Sequence, residues 1–320
     1  MNAGDVTVAG PRVVAVGGGH GLSRVLAAFR HLGVAPTAVV TVADDGGSSG
    51  RLRRDLGIIA LGDLRMALLA LARNTALAEV LAHRFARGHL EGHALGNLLL
   101  VALTEAADGD VLGALRRAEA LLDCDGSVLP STTVPVHIAA EVGGVRISGQ
   151  ATITASEGGV ERLWLEPADP PACHEAVEAV RGADVVVLGP GSLFTSIIVN
   201  LLVADLCRAV CETDANLIHV ANVTAPPGET SQLSLRDHVD LLHQTLGHRR
   251  VDVVVAHDGP APPGPGTPLV ADDDLTGVGR VMTADLLQRD AAGGTVAAHD
   301  ASRLATALRH ALTVERVSAW

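Results

Sequence analysis

The 320-residue sequence contains no lysine and no tyrosine, so each of its 24 basic side chains is an arginine. The first absence excludes a P-loop lysine on nucleotide phosphates, a Schiff-base lysine for pyridoxal phosphate or an aldolase, and a biotinyl or lipoyl carrier. The second removes a tyrosine acid or nucleophile. Aromatic residues make up 2% of the chain and the net charge is −12. That balance repels nucleic acid and leaves few rings on which bases can stack, so neither DNA nor RNA is an expected partner. Four cysteines, Cys124, Cys173, Cys207 and Cys211, are too few and too dispersed for a disulfide framework and read as buried thiols. Apolar runs such as Leu98 to Leu103 fall far short of the ~20 residues of a bilayer span. Met1 to Pro11 carries Asp5 where a secretory leader has a basic region. A cytoplasmic protein without a membrane span is expected, with chemistry left to Asp, Glu, His, Ser, Thr, Arg, backbone amides or a metal.

What is present is aliphatic: 48% of the residues are hydrophobic. Short β-branched runs alternate with longer helical patterns, the signature of parallel strands joined by crossover helices. Strands are expected at Arg12 to Val16, Thr37 to Ala43, Asp184 to Leu188, Leu217 to Val220, Val251 to Ala256 and Gly279 to Met282. Helices are expected at Leu22 to Leu32, Leu64 to Ala72, His93 to Ala106, Val111 to Asp123 and Ser302 to Leu312. From Val134 the period changes to two, and Gly143-Gly144 suits the positive φ angles of a primed hairpin turn between Val134–Val142 and Val145–Thr154. The expected fold is one α/β domain over residues 1–320, a doubly wound and mostly parallel sheet, with an antiparallel β-ribbon inserted at about 128–168 and a proline-rich loop at 257–268.

The first strand runs into Gly17-Gly18-Gly19-His20-Gly21 and then into a helix carrying Ser23. Successive backbone N–H groups at a helix N-terminus favour phosphate. Gly17 and Gly19 fit the dinucleotide fingerprint, but Leu22 stands at the third glycine position. The second strand leads into Asp44-Asp45-Gly46-Gly47-Ser48-Ser49-Gly50-Arg51. Three readings stand for the acids: a ribose ligand as in dinucleotide enzymes, a Mg²⁺ site in which Asp63 supplies a third oxygen, and a solvated Asx turn. The letters Gly46, Ser48 and Gly50 also match a nucleophile elbow, but two aspartates separate them from the strand. Arg51, Arg53, Arg54 and Arg65 are candidate phosphate clamps in a chain without lysine, or solvated charges. A second glycine turn, Gly189-Pro190-Gly191-Ser192, precedes Thr195, Ser196 and Asn200, and Asn222 and Gly228-Glu229-Thr230 are placed on the same rim. His93, in Gly92-His93-Ala94-Leu95-Gly96-Asn97, reads either as an acid–base group or as a structural histidine. Asp272 to Asp274 reads as a solvated charge run.

Six ordered segments resemble the YvcK/CofD-like family, in particular its YvcK branch, the gluconeogenesis factors. They are GGGHGLS at 17–23, VADDGGSSGRLR at 42–53, GDLR at 62–65, GHALGNLLL at 92–100, LGPGSLFTSII at 188–198, and Asn222-Val223 with Pro227-Gly228-Glu229-Thr230 before Asp237-His238-Val239. The resemblance covers about residues 12–256 and implies a Rossmann-like fold. For this branch it implies UDP-sugar binding, as of UDP-N-acetylglucosamine, and a role in cell shape and cell-wall precursor supply during gluconeogenic growth. The sister branch comprises 2-phospho-L-lactate transferases, which move a phospholactyl group from a nucleotide diphosphate donor to a deazaflavin precursor. Their metal-binding aspartates map onto Asp44, Asp45 and Asp63. Two departures stand out: His20 replaces the usual threonine, and Gly46 to Ser49 replaces the transferases' aromatic-bearing segment.

The candidate site therefore comprises Gly17, Gly18, Gly19, His20, Gly21, Ser23, Arg51, Gly189, Gly191, Ser192 and Asn222 for nucleotide or phosphate. Asp44, Asp45 and Asp63 are assigned to Mg²⁺, and Asp45 and His93 to catalysis if turnover exists. The expected partner is a small nucleotide diphosphate sugar, with self-association into a homo-oligomer as a further expectation.

Overall fold

The computed structural model describes residues 10–156, 158–259, 266–271, 275, 277–291 and 294–313. Half of the proline-rich loop, 260–265, and the acidic run 272–274 lie outside the described residues. Seven parallel strands form the central sheet: β1 Val13–Gly17, β2 Thr37–Val40, β3 Ser127–Pro130, β4 Val185–Leu188, β5 Asn216–Val220, β6 Val253–His257 and β7 Arg280–Ala284. Their order across the sheet is β7-β6-β5-β4-β1-β2-β3. The winding reverses between β1 and β4, the place where open α/β sheets form their crevice.

Every residue of β1, β4, β5 and β6 is buried. These near-continuous apolar runs are what a sheet covered on both faces demands. One helical layer is built from α1 Gly19–His31, α2 Gly62–Leu71 and α3 Ala301–Leu312, with α1 packed against the other two. A second layer joins His174–Arg181, Ala204–Glu212 and Leu235–Leu246. In α1 the buried Leu22, Val25, Leu26 and Phe29 recur at helical spacing and so form the stripe that faces the sheet. Among the described residues no single helix is long and apolar enough to cross a membrane.

Three elements differ from the sequence expectation. Asp44 to Gly50 is not all loop, because a helix begins at Gly47 and runs to Leu56. Glycine and serine are weak helix formers, and here buried contacts of Ser48 and Ser49 hold the first turn. Ser127–Pro130, at the margin of the expected insertion, is an edge strand of the main sheet. The inserted antiparallel sheet has three strands, His137–Val142, Val145–Ser148 and Val160–Glu166. Gly143 and Gly144 take φ of 59° and 72°, as the hairpin turn requires. The second strand stops at Ser148, where Gly149 at φ 98° turns the chain into a short helix, Gln150–Thr154. The β-branched Thr152, Ile153 and Thr154 had favoured a longer strand.

Candidate functional site

Gly17 pairs with Val40 and Val16 with Leu188, so β1, β2 and β4 end level and their loops rise from one rim. The first two glycine loops are packed together without room for side chains. A Cβ at Gly21 would lie 2.2 Å from the Pro190 carbonyl oxygen, and one at Gly18 would lie 2.5 Å from an Asp63 carboxylate oxygen. Gly19, at φ 60°, supplies the left-handed residue that opens α1. Behind the rim, Asn200 donates to the Gly17 carbonyl at 3.2 Å.

Between these loops lies a cleft of about 360 Å³. His20, Gly21 and Arg24 form one wall, Pro190 to Ser192 and Asn222 to Thr224 another, and Ala297 to His299 close it. Of the expected phosphate-binding residues the structure brings His20, Gly21, Gly191, Ser192 and Asn222 to this cleft. Ser23 turns away, its hydroxyl donating to the Gly19 carbonyl at 3.1 Å. The Asn222 side chain is fastened to the second loop, accepting from Gly191 N–H at 2.9 Å and donating to its carbonyl at 2.8 Å. Ser192 donates to Glu229, a buried carboxyl that also accepts from the backbone N–H groups of Phe194 and Thr195. An internal acid thus stands at the amides that begin the second helix, and burial pushes it up to about 7. The sequence reading missed Arg24 and the 297–299 wall. Arg24 is tied to that wall's hairpin through Gln288 at 2.8 Å, and only the fold brings a segment so late in the chain to α1.

On the β2 side the three aspartates separate. Asp44 accepts from Gly46 N–H at 2.9 Å and faces Gly62, where a Cβ would stand 3.0 Å from its second oxygen and 2.2 Å from the Ser49 hydroxyl. Asp63 accepts from Gly19 N–H, and its carboxyl is pushed up to about 7, first by burial and then by the charge of Asp44. Asp45 turns instead to the insertion, accepting from Ala151 N–H at 3.1 Å. Two hard carboxylates beside a hydroxyl, in a cradle kept open by glycines, fit a Mg²⁺ ion that takes its remaining ligands from water and phosphate. No group of three or more His, Cys, Asp or Glu stands in metal-binding geometry among the described residues.

Ser48, His93 and Asn97 are buried together. Asn97 donates to the Ser48 hydroxyl oxygen at 3.0 Å and the Ala94 N–H does so at 3.4 Å, so the Ser48 proton points at His93 Nδ1, 3.1 Å away. His93 is then the neutral tautomer with its proton on Nε2, and burial followed by the charge of Arg51 lowers its pKa. Arg51 donates to the Glu91 carbonyl at 2.7 Å and braces the same turn. Ser48→Ala would leave two buried donors and a histidine nitrogen unmatched, and is expected to lower unfolding free energy by about 1–3 kcal/mol. Chemical denaturation measures this; a loss below about 0.3 kcal/mol would mean that the network is not formed. The buried arginines Arg53 and Arg65 lie outside this network. Arg53 donates to the Val136 carbonyl of the insertion, and Arg65 packs against Gly96.

The family described as 2-phospho-L-lactate transferase CofD matches residues 13–267. A protein of Deinococcus radiodurans named "Putative gluconeogenesis factor" is 45% identical over 93% of this chain and 65% of its own length. For a relative of the same name from Nostoc the shared region is 55% of that protein, so the chain spans roughly half to two thirds of these two relatives. The "Gluconeogenesis factor" of Halalkalibacterium halodurans is 36% identical over 92% of this chain and 95% of its own. A crystal structure of a upf0052 family member from Bacillus halodurans superposes with a TM-score of 0.87 at 34% identity, covering 94% of this chain and all of that one. The match to the family ends at 267, before the hairpin that closes the cleft.

Proposed function

The chain belongs to the CofD family, in the branch of the gluconeogenesis factors, and on that premise we propose that it is a cytoplasmic nucleotide-sugar-binding protein. Its ligand is a UDP-N-acetylglucosamine-like molecule, and its role is to support cell shape and cell-wall precursor supply during gluconeogenic growth. The observation that carries this reading is the cleft of about 360 Å³ at the point where the sheet winding reverses, walled by two glycine loops and lined by His20 and Arg24. The diphosphate is assigned to the start of α1, where backbone N–H groups and Arg24 supply positive charge.

Asp44 and Asp63, with the Ser49 hydroxyl beside Asp44, are the residues that would hold a Mg²⁺ ion. When bound, the ion neutralises phosphate charge. The chain's own part is to seat the Asp63 carboxylate under Gly18 and to exclude side chains from beside Asp44 and Ser49 at Gly62. Calorimetry with UDP-N-acetylglucosamine is the test. Binding that weakens at least about tenfold without Mg²⁺, and loses that Mg²⁺ dependence in Asp63→Asn, is expected. No heat at millimolar ligand, with or without Mg²⁺, would sink the proposal.

A second reading is a Mg²⁺-dependent phospholactyl transferase acting on a nucleotide diphosphate donor and a deazaflavin precursor. The electrostatic coupling of Asp44 to Asp63 favours it, because two acids that would hold Mg²⁺ suit charge developing on a leaving diphosphate. Measurable transfer that Asp63→Asn abolishes would select this reading over the first.

A further inference from the structure

The insertion delivers a five-residue helix, Gln150–Thr154, that lines no part of the cleft yet joins the Asp44-Asp45 loop to the Gly228-Glu229 turn behind the second glycine loop. At its start, Ala151 N–H donates to Asp45 Oδ1 at 3.1 Å. The other Asp45 oxygen presses on Gly149, where a Cβ would stand 2.2 Å away. At its end, the Thr154 carbonyl accepts from Glu229 N–H at 3.3 Å and lies 1.9 Å from where a Cβ of Gly228 would be. The Thr154 hydroxyl meets that of Thr195 at 3.3 Å. Glu229 in turn receives the hydroxyl of Ser192, on the wall of the cleft. The helix is gripped at each end by a glycine of positive φ, 98° at Gly149 and 110° at Gly228, so neither grip admits an ordinary side chain.

We propose that Asp45 is a positioning residue that holds Gln150–Thr154 as a tie, so that the loop after β2 sets the position of Glu229, Ser192 and the second glycine loop. The identity of the ligand, a nucleoside diphosphate, rests on the function proposed above. The tie itself rests on the contacts alone. Asp45 and Asp44 are neighbours in sequence with different work. The Asp44 carboxylate sits beside Gly62 and Ser49 and acts electrostatically on Asp63, whereas that of Asp45 is committed to the backbone of the insertion. An acceptor is what Ala151 N–H needs, and an amide oxygen supplies one as well as a carboxylate does. A Mg²⁺-ligating carboxylate, by contrast, loses its charge on the change to asparagine and with it much of its hold on the ion.

Three variants of the full chain, Asp45→Asn, Asp45→Ala and Asp44→Asn, separate these roles, with UDP and Mg²⁺ as probes. Without ligand, amides of 150–155 and 193–196 are expected to exchange at least about tenfold faster in Asp45→Ala than in the parent, and within about twofold of it in Asp45→Asn. UDP affinity in the presence of Mg²⁺ is expected to fall about tenfold in Asp45→Ala and to stay near the parent value in Asp45→Asn, whereas Asp44→Asn loses the Mg²⁺-dependent part. The idea is overturned if Asp45→Asn loses Mg²⁺-dependent affinity as fully as Asp44→Asn, which would make Asp45 a metal ligand. Unchanged exchange of 193–196 in Asp45→Ala overturns it as well. If Asp45→Ala does not fold, the unsubstituted protein decides: saturation with UDP must protect the amides of 150–154, and no change counts against the tie. If that protein binds no UDP, the nucleotide reading fails, while ligand-free exchange in the two Asp45 variants still judges the tie.

Discussion

Replacing Gly21 by alanine is expected to abolish nucleotide binding and to destabilise the fold together. The added methyl would lie 2.2 Å from the Pro190 carbonyl oxygen, 2.6 Å from its carbon and 2.9 Å from Gly191 N, all backbone atoms with no rotamer by which to escape. The β1 and β4 loops must therefore move apart, and the Asn222 contacts that fix Gly191 move with them. Overpacking of this kind costs about 1–3 kcal/mol, and the same displacement opens the cleft wall made by Gly21, Pro190 and Gly191. A loss of UDP-N-acetylglucosamine affinity of about 100-fold or more is expected by calorimetry, with a lower Tm. Gly33→Ala is the control: its φ is 68° with nothing within 4 Å, so it costs about 1 kcal/mol of backbone strain and leaves binding unchanged. Equal effects of the two substitutions on binding would show that the loop-to-loop contact is not what shapes the cleft.

The parallel core was legible because its signal is local. Val13–Gly17, Val185–Leu188 and Val253–His257 are short, apolar and β-branched, and glycine loops follow the first two directly. The rim was legible for the same reason, since residues at strand C-terminal ends converge whatever the rest of the chain does. What stayed hidden was set by long-range contacts. Nothing in Asp44-Asp45 distinguishes the two acids. Their division of labour appears only when Gly62 meets one and Ala151 the other. Ser48 looked like loop because its helix is held by His93 and Asn97, more than forty positions away. Asn222 and Ser192 were placed correctly on the rim, but their hydrogen bonds are made to Gly191 and Glu229. The cysteines are all free, but of the four expected to be buried only Cys173 is; Cys124, Cys207 and Cys211 pack part-exposed against the core, and desolvation raises the pKa of all four, up to about 12 at Cys124 and Cys207.

Glu229→Gln is expected to be more stable than the parent protein at pH 8, and the advantage should fade as the pH falls to 5. Burial lifts this carboxyl from 4.5 to about 7, against the hydrogen bonds from Ser192, Phe194 and Thr195. A raised acid contributes stability that is fully present below its unfolded value and is lost as the pH rises toward the folded one, because the unfolded chain releases its proton first. At pH 8 ionisation therefore costs about 2–3 kcal/mol, which a neutral glutamine of the same shape avoids; at pH 5 the cost is below about 1 kcal/mol. Buried histidines act in the opposite sense. His219 is lowered to about 3 by burial and by His238 and His243, and burial brings His238 and His299 to about 4. Each contributes stability above about 6.5 that disappears as the pH falls, about 2 kcal/mol apiece by pH 5. Because the two classes offset one another, the parent protein should be nearly flat in stability between pH 8 and 7 and fall below that. Glu229→Gln should instead decline steadily from pH 8 to 5, by about 2 kcal/mol more than the parent. Urea denaturation across that range measures both curves, and parallel curves would show that Glu229 is ionised throughout at its place on the Ser192 turn.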